Sequence, residues 1–291
     1  MIEKRRETNV KKVGFLLCAL FAVVLGAFWM LGSKLSSPAN QTVHLPADAP
    51  TAKSVTIDTI SAWYFPVEAR KACVLLLHGN RGSKRDMVER AKFLTKYGYA
   101  ALAIDFQAHG ETPGEHLSYG YLESHNAHTA VRYLKETKAC QQVAALGISL
   151  GGAAAILGER AVPVDAYILE SVYSSIEQAV ENRLALYSRH FPSALAPLLY
   201  EQIPLRLGVE LHQLQPAEAV KQLNAPVLFM QGDKDKRTFL YEVLMLFDNA
   251  PEPKYLNVME GAAHVDLHQF NTEQYETTVL SFLAKHLDQN P

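Results

Sequence analysis

The 291-residue chain has little of what marks metal-dependent, nucleic-acid-binding or repeat proteins. Its three cysteines, Cys18, Cys73 and Cys140, lack the close pairing of a metal-ligand motif. With 28 basic against 30 acidic residues, it has neither a broad basic field for nucleic acid nor an acidic tail. No internal repeat is visible, which excludes a solenoid or propeller. Cys18 sits in an apolar run with no lipidation motif around it. Cys73 and Cys140 each adjoin a strand-like run and are expected as small packing residues. A disulfide between them is conceivable in an oxidising compartment, but sequence cannot supply the geometry it needs.

Charge is missing altogether from residues 13–31, VGFLLCALFAVVLGAFWML. At 1.5 Å per residue such a helix is about 28 Å long, close to the ~30 Å hydrocarbon core of a bilayer, and it shows no polar face. Lys4, Arg5, Arg6, Lys11 and Lys12 precede it and only Lys34 follows closely. This bias leaves the short N-terminus in the cytoplasm and the rest of the chain across the membrane. A cleaved signal peptide has a shorter apolar core, about 7–15 residues, and the candidate cleavage stretch here includes Pro38. The expected organisation is a basic tail (1–12), a membrane anchor (13–33), a linker (34–52) and a folded domain (53–291). The linker is rich in Ser, Pro, Ala and Asn without periodicity, which suits a spacer.

From residue 53 the pattern alternates strand, turn and helix. Strands are expected at 54–59, 62–65, 72–77, 100–104, 142–146, 166–169, 227–230 and 254–258. Helices are expected at 84–97, 121–137, 150–159, 238–248 and 272–285. VLLL, AALAI and PVLFM are apolar on both faces, as parallel strands covered by helices must be. The fold class is therefore α/β, with a mostly parallel, doubly wound sheet. Between about 171 and 225 a Leu-rich helical stretch, broken at Pro192, Pro197 and Pro204, interrupts the alternation and can cap a site.

Gly147-Ile148-Ser149-Leu150-Gly151 lies between an expected strand and an expected helix. A serine there occupies a sharp, strained turn, and the glycines let backbone approach closely, so Ser149 is the candidate nucleophile. A serine hydroxyl needs a base within hydrogen-bond reach, and on this architecture the chain order is Ser, acid, His. His264 follows the strand 254–258 and is the best placed of the histidines, since ligands bind beyond the carboxyl ends of such strands. His268 is its rival, whereas His125, His128, His190 and His212 fall in helical or cap segments. Asp235, in QGDKD, is the candidate acid that orients the imidazole, with Asp233 and Glu170 as alternatives. Asp233 stands beside a glycine turn, where an aspartate bonds its own backbone. The oxyanion donors are expected to be the N–H of Leu150 and, from His78-Gly79-Asn80-Arg81-Gly82, that of Asn80 or Arg81. His78 directly follows VLLL and is expected to brace this loop.

Taken in order, HGN, GISLG, GDKD and AAHVD resemble the α/β-hydrolase superfamily over nearly all of 54–287. The likeness is greatest to membrane-anchored bacterial hydrolases of the serine aminopeptidase and prolyl-oligopeptidase-like grouping. Asp105 to Gly110 resembles that family's D-x-x-G-H-G turn, with Ala108 in place of the usual glycine; the turn is structural there, so Asp105 and His109 take no catalytic role. HGN is shared with haloalkane dehalogenases, whose nucleophile is an aspartate, and Ser149 excludes that reaction. The resemblance implies hydrolysis through an acyl-enzyme with neither metal nor organic cofactor, on a small-molecule or lipid-like acyl substrate. A carboxylic ester ranks first, a peptide or aminoacyl amide second and a thioester third, by analogy alone. A tethered binding protein that keeps the fold without turnover is the reading from another class. Oligomeric state is not legible.

Overall fold

The computed structural model describes residues 2–49, 51–68, 72–187 and 193–287. His190 and Pro192, assigned above to the cap, lie outside the described residues.

Helix α1 (Ile2–Leu35) contains the apolar run, and its span Lys11–Leu35 is long and apolar enough to cross a membrane. No residue of its most apolar 18-residue window is buried inside the molecule. The stretch after it is not the free spacer its composition suggested. Ala39 and Asn40 pair in parallel with His109 and Gly110, and Ser36 O accepts from the Leu117 N–H at 3.0 Å. Asn40 Nδ2 donates to Thr112 O at 2.7 Å, and Val43 and Ala49 are buried. Backbone pairing with a turn some 70 residues later leaves no trace in composition, which is why the segment reads as a linker.

Eight strands form the main sheet: β1 (Lys53–Ile57), β2 (Ile60–Phe65), β3 (Ala72–Leu77), β4 (Tyr99–Ile104), β5 (Val143–Ile148), β6 (Ala166–Glu170), β7 (Val227–Gly232) and β8 (Lys254–Met259). Their spatial order is β1-β2-β4-β3-β5-β6-β7-β8. The pairs β1–β2 and β2–β4 are antiparallel and all the others parallel. In β3 every residue is buried, and the side chains divide by alternation. Cys73, Leu75 and Leu77 join one apolar layer, while Ala72, Val74 and Leu76 join the other. Each fully buried Leu or Val there contributes about 2 kcal/mol.

Helices cover both faces. Helix α2 (Val88–Lys96) packs in the second layer, while α3 (Glu123–Glu136) and α4 (Leu150–Ile156) pack in the first. The cap is a chain of short helices: α5 (Ile176–Tyr187), α6 (Pro197–Tyr200), α7 (Ile203–Leu207) and α8 (Pro216–Ala219). Pro197 and Pro204 open α6 and α7 instead of ending a helix, because proline lacks an N–H that the first turn would leave unpaired anyway. The remaining helices are α9 (Leu240–Asn249), α10 (Leu267–Phe270) and α11 (Thr272–Leu287), the last covering the second face.

Cys73 and Cys140 form a disulfide, with a Cα–Cα separation of 6.0 Å, instead of serving only as packing residues. Register explains it: Cys73 is the first β3 residue paired with β5, its N–H bonds Gln142 O, and Cys140 lies just before β5 begins.

Candidate active site

Strand β5 ends at Ile148 and α4 begins at Leu150, so Ser149 alone makes the turn, at φ 51° and ψ −109°. A side-chain-bearing residue with positive φ is strained by about 1–3 kcal/mol and persists only when its surroundings over-determine it. Here the Ser149 N–H donates to Glu170 O at 2.7 Å, and Ser149 O accepts from Ala153 N–H at 3.0 Å. The flanking glycines allow the helix to start so close to the sheet. A Cβ on Gly147 would lie 2.5 Å from Gly151 backbone, and one on Gly151 would lie 2.2 Å from Leu77 O. The hydroxyl is thereby presented at the carboxyl edge of the sheet.

Two loops at that edge bring the acid and the histidine together. Asp235, in the loop after β7, is buried; its Oδ1 accepts from the N–H groups of Arg237 (2.7 Å) and Thr238 (3.0 Å). Its Oδ2 accepts from Nδ1 of His264 at 2.6 Å. Because the carboxylate is acceptor-only, the proton is on Nδ1 and Nε2 is left free to take another. Desolvation pushes the Asp235 carboxyl up, but the His264 hydrogen bond and charge, with the two N–H donors, outweigh it and hold the group below the usual range. No hydrogen bond joins His264 to Ser149 in this structure, although both are described residues. Such bonds are often long in a free enzyme and tighten around substrate.

Asp233 bonds its own backbone and also reaches across to the histidine loop. Its Oδ1 accepts from the Gly261 N–H at 2.6 Å, and Lys234 N–H donates to Ala262 O at 2.9 Å. Together these contacts hold the histidine loop against the aspartate loop. Glu170 is not partnered with His264. It pairs with Arg90 at 2.9 Å and accepts from the Tyr275 hydroxyl, behind the sheet edge. His268 faces Glu276 at 3.0 Å and packs beside Phe93, away from Asp235. His128 bonds Ser124 O and His125 makes an edge contact with the Tyr121 ring, so both are engaged at α3.

The HGN loop lies beside the serine: a Cβ on Gly79 would be 4.0 Å from that of Ser149. His78 is fully buried and braces the loop, Nδ1 donating to Gly79 O at 2.8 Å and Nε2 accepting the Phe106 N–H at 3.2 Å. Both bonds require the neutral ring, and burial, then the neighbouring His109, pushes its pKa down to about 3. The N–H groups of Asn80 and Leu150 have no acceptor among the described residues. Arg81, at φ 60°, turns its guanidinium away to the end of α1, donating to the carbonyls of Lys34 (2.8 Å), Leu35 and Ser37 (both 3.3 Å).

Arg90 was not singled out by the sequence, where it is one charge in a helical pattern. It is fully buried and joins three parts of the site: Glu170, whose carbonyl pins the serine turn, Tyr275 of α11, and Asp266, two residues beyond His264. Removing one member of such a buried cluster leaves an unpaired charge, at a cost of about 3–5 kcal/mol. Buried Lys84 does the same on the other flank, holding Asp105 (2.5 Å) and Glu111 (2.7 Å). Asp105 is thus a structural residue of its turn. No grouping of side chains suited to a metal ion occurs among the described residues.

A strained serine turn between a parallel strand and a helix, with an Asp–His pair from the two loops beyond it, is the arrangement of an α/β-hydrolase. The family model described as serine aminopeptidase, S33, matches residues 68–202. The uncharacterized protein YqkD of Bacillus subtilis is 24% identical over 214 residues, covering 72% of this chain and 70% of that protein. The lysophosphatidylserine lipase ABHD12 of Macaca fascicularis is 28% identical over 186 residues, 60% of this chain but only 44% of the lipase. Among solved structures, Pyrococcus furiosus esterase Pf2001 superposes with a TM-score of 0.71 at 22% identity, covering 86% of this chain and 99% of the esterase. The chain has the α/β-hydrolase fold.

Proposed function

We propose that the protein is a serine hydrolase that cleaves carboxylic esters through an acyl-enzyme. The observation that carries this reading is the 2.6 Å hydrogen bond from His264 to buried Asp235, in the loops after β8 and β7, at the same carboxyl edge of the sheet as the Ser149 turn. As substrate enters, His264 Nε2 accepts the Ser149 proton while Oγ attacks the ester carbonyl. The resulting oxyanion is held by the N–H groups of Leu150 and Asn80, and Asp235 stabilises the imidazolium. His264 then protonates the departing alcohol oxygen, the C–O bond breaks and the acyl group stays on Ser149. Water, deprotonated by His264, attacks the acyl carbonyl, the C–O bond to Ser149 breaks, Ser149 Oγ takes the proton back from His264 and the acid is released.

An ester is favoured over an amide or thioester because a solved relative is an esterase and curated relatives are lysophosphatidylserine lipases. The apolar helix is read as a single-span anchor, with the basic residues 4–12 cytoplasmic and the domain on the opposite face. The Cys73–Cys140 disulfide supports that side, since such bonds persist in oxidising compartments.

The test uses the full chain in detergent, a fluorophosphonate probe, and acyl esters, aminoacyl amides and acyl thioesters as substrates, with Ser149→Ala as control. Labelling that disappears in the variant, with ester turnover fastest, is the expected result. A folded protein that neither labels nor turns over any of the three would favour the non-catalytic, binding reading.

A further inference from the structure

The end of α1 is seated on the cap, and the seam between them is open. Gly32 lies so close to α7 that a Cβ there would fall 2.5 Å from Gln202 Oε1. Gln202 donates to Phe28 O at 3.2 Å and Arg206 to Ser33 Oγ at 2.6 Å. The Arg206 guanidinium also stacks over the Trp29 ring at 3.8 Å and donates to Trp29 O. Beside these contacts runs a groove of about 340 Å³, whose apolar wall is Leu25, Phe28 and Trp29 on one side and Pro197, Leu198 and Leu205 on the other. Glu201 and Gln202 complete its lining. Leu205 is 80% exposed, the most exposed of the large apolar side chains among the described residues.

Length places this seam relative to a bilayer. The uncharged run 13–31 is about as long as the hydrocarbon core is thick, so with Lys11 and Lys12 at one boundary the other falls near Leu31. At 1.5 Å per residue, Trp29 is then ~3 Å, Phe28 ~4.5 Å and Leu25 ~9 Å below that boundary. Side chains of α6 and α7 that share a groove with those three residues cannot be in bulk water. Trp29 and Arg206 sit where amphipathic rings and cations collect, at headgroup level.

We infer that the cap helices α6 and α7 are a second membrane contact, with Pro197, Leu198 and Leu205 seated among the phospholipids of the leaflet from which α1 emerges. The inference rests on α1 crossing the bilayer. Continuity with the lipid-facing surface of α1, and an exposed leucine at its edge, identify bilayer lipid as the occupant of the groove. Arg81 also ties the HGN loop to the last carbonyls of the same helix.

The full chain, reconstituted in phosphatidylcholine–phosphatidylglycerol nanodiscs, carries a nitroxide at one of three positions: native Cys18, Leu205→Cys, or Glu136→Cys at the end of α3. The last two are made in a Cys18→Ser background. Collision with oxygen, soluble in lipid, is compared with collision with a water-soluble nickel chelate. The oxygen-to-nickel ratio at Leu205 is expected to exceed that at Glu136 by about threefold or more, approaching that at Cys18. A Leu205 ratio equal to that of Glu136, with Cys18 lipid-like, overturns the inference and leaves the anchor standing. A water-like Cys18 overturns the spanning helix itself, and the inference with it.

Discussion

The carboxyl edge of the sheet and the seam between α1 and the cap are both places where distant parts of the chain meet, but they are built differently. At the sheet edge, backbone sets the geometry: Gly151 fits against Leu77 O, Ser149 is pinned by Glu170 O, and Lys234 N–H reaches Ala262 O. At the seam, long side chains do the joining, as Arg206, Gln202 and Arg81 reach carbonyls and a ring. Backbone contacts cannot adjust without moving an element, whereas a flexible side chain can swing away. The first region should therefore be intolerant of small changes and the second forgiving.

The largest effect is expected at the acid. Asp235→Asn keeps the shape of the edge but lets the His264 tautomer reverse, and kcat for ester hydrolysis should fall on the order of 10⁴-fold. Unchanged kcat in steady-state assays would show that His264 is oriented by another group. Next is the disulfide, which ties β3 to β5 at the end of the sheet away from Ser149. Closing a loop with a sequence separation of 67 contributes about 4 kcal/mol in the chain-entropy treatment. Denaturant unfolding of Cys73→Ala/Cys140→Ala, or of the wild type with reductant, should show a loss of that order, with activity at low denaturant retained.

The sharpest form of the comparison pairs two glycines. Gly151→Ala puts a Cβ against backbone and should destabilise by about 3 kcal/mol, with activity lost through displacement of α4. Gly32→Ala puts one against the tip of Gln202, which can rotate, and should cost about 0.5 kcal/mol or less. Equal melting-temperature shifts in the two variants would erase the distinction between the regions.

Acid should act on the sheet edge. Asp235 and Asp266 are both held below the ordinary carboxylate value: desolvation raises each, and His264 or Arg90 more than reverses it. The folded state thus binds these protons less tightly than the unfolded chain. Their contribution is complete above about pH 3.9 and is lost as pH falls through the lower folded values. Unfolding free energies at pH 7 and pH 3 should differ by less in Asp235→Asn than in the wild type.

The same distinction explains what could be read from the sequence. Ser149 stood out because its turn needs glycines at fixed offsets between a strand and a helix, a local requirement written in five consecutive residues. Most element bounds were within two or three residues because a two-faced parallel strand needs a continuous apolar run. In the sequence only turn bonding separates Asp235 from Asp233, and the structure gives Asp233 a further contact that holds the histidine loop at Gly261. Arg90 was invisible, since a buried arginine has the same letter as a solvated one.

The sequence alone determined the α/β class, the apolar N-terminal helix, the serine turn and the chain order of Ser149, Asp235 and His264. Each follows from short-range rules of periodicity, chain stiffness and turn sterics. Only the tertiary structure decided that residues 36–49 lie along the domain, that Cys73 meets Cys140, that Arg90 gathers Glu170, Tyr275 and Asp266, and that Arg81 and Arg206 grip the end of α1. Those partners are separated by tens to well over a hundred residues, and polar side chains that meet across such distances leave no periodic mark in the chain.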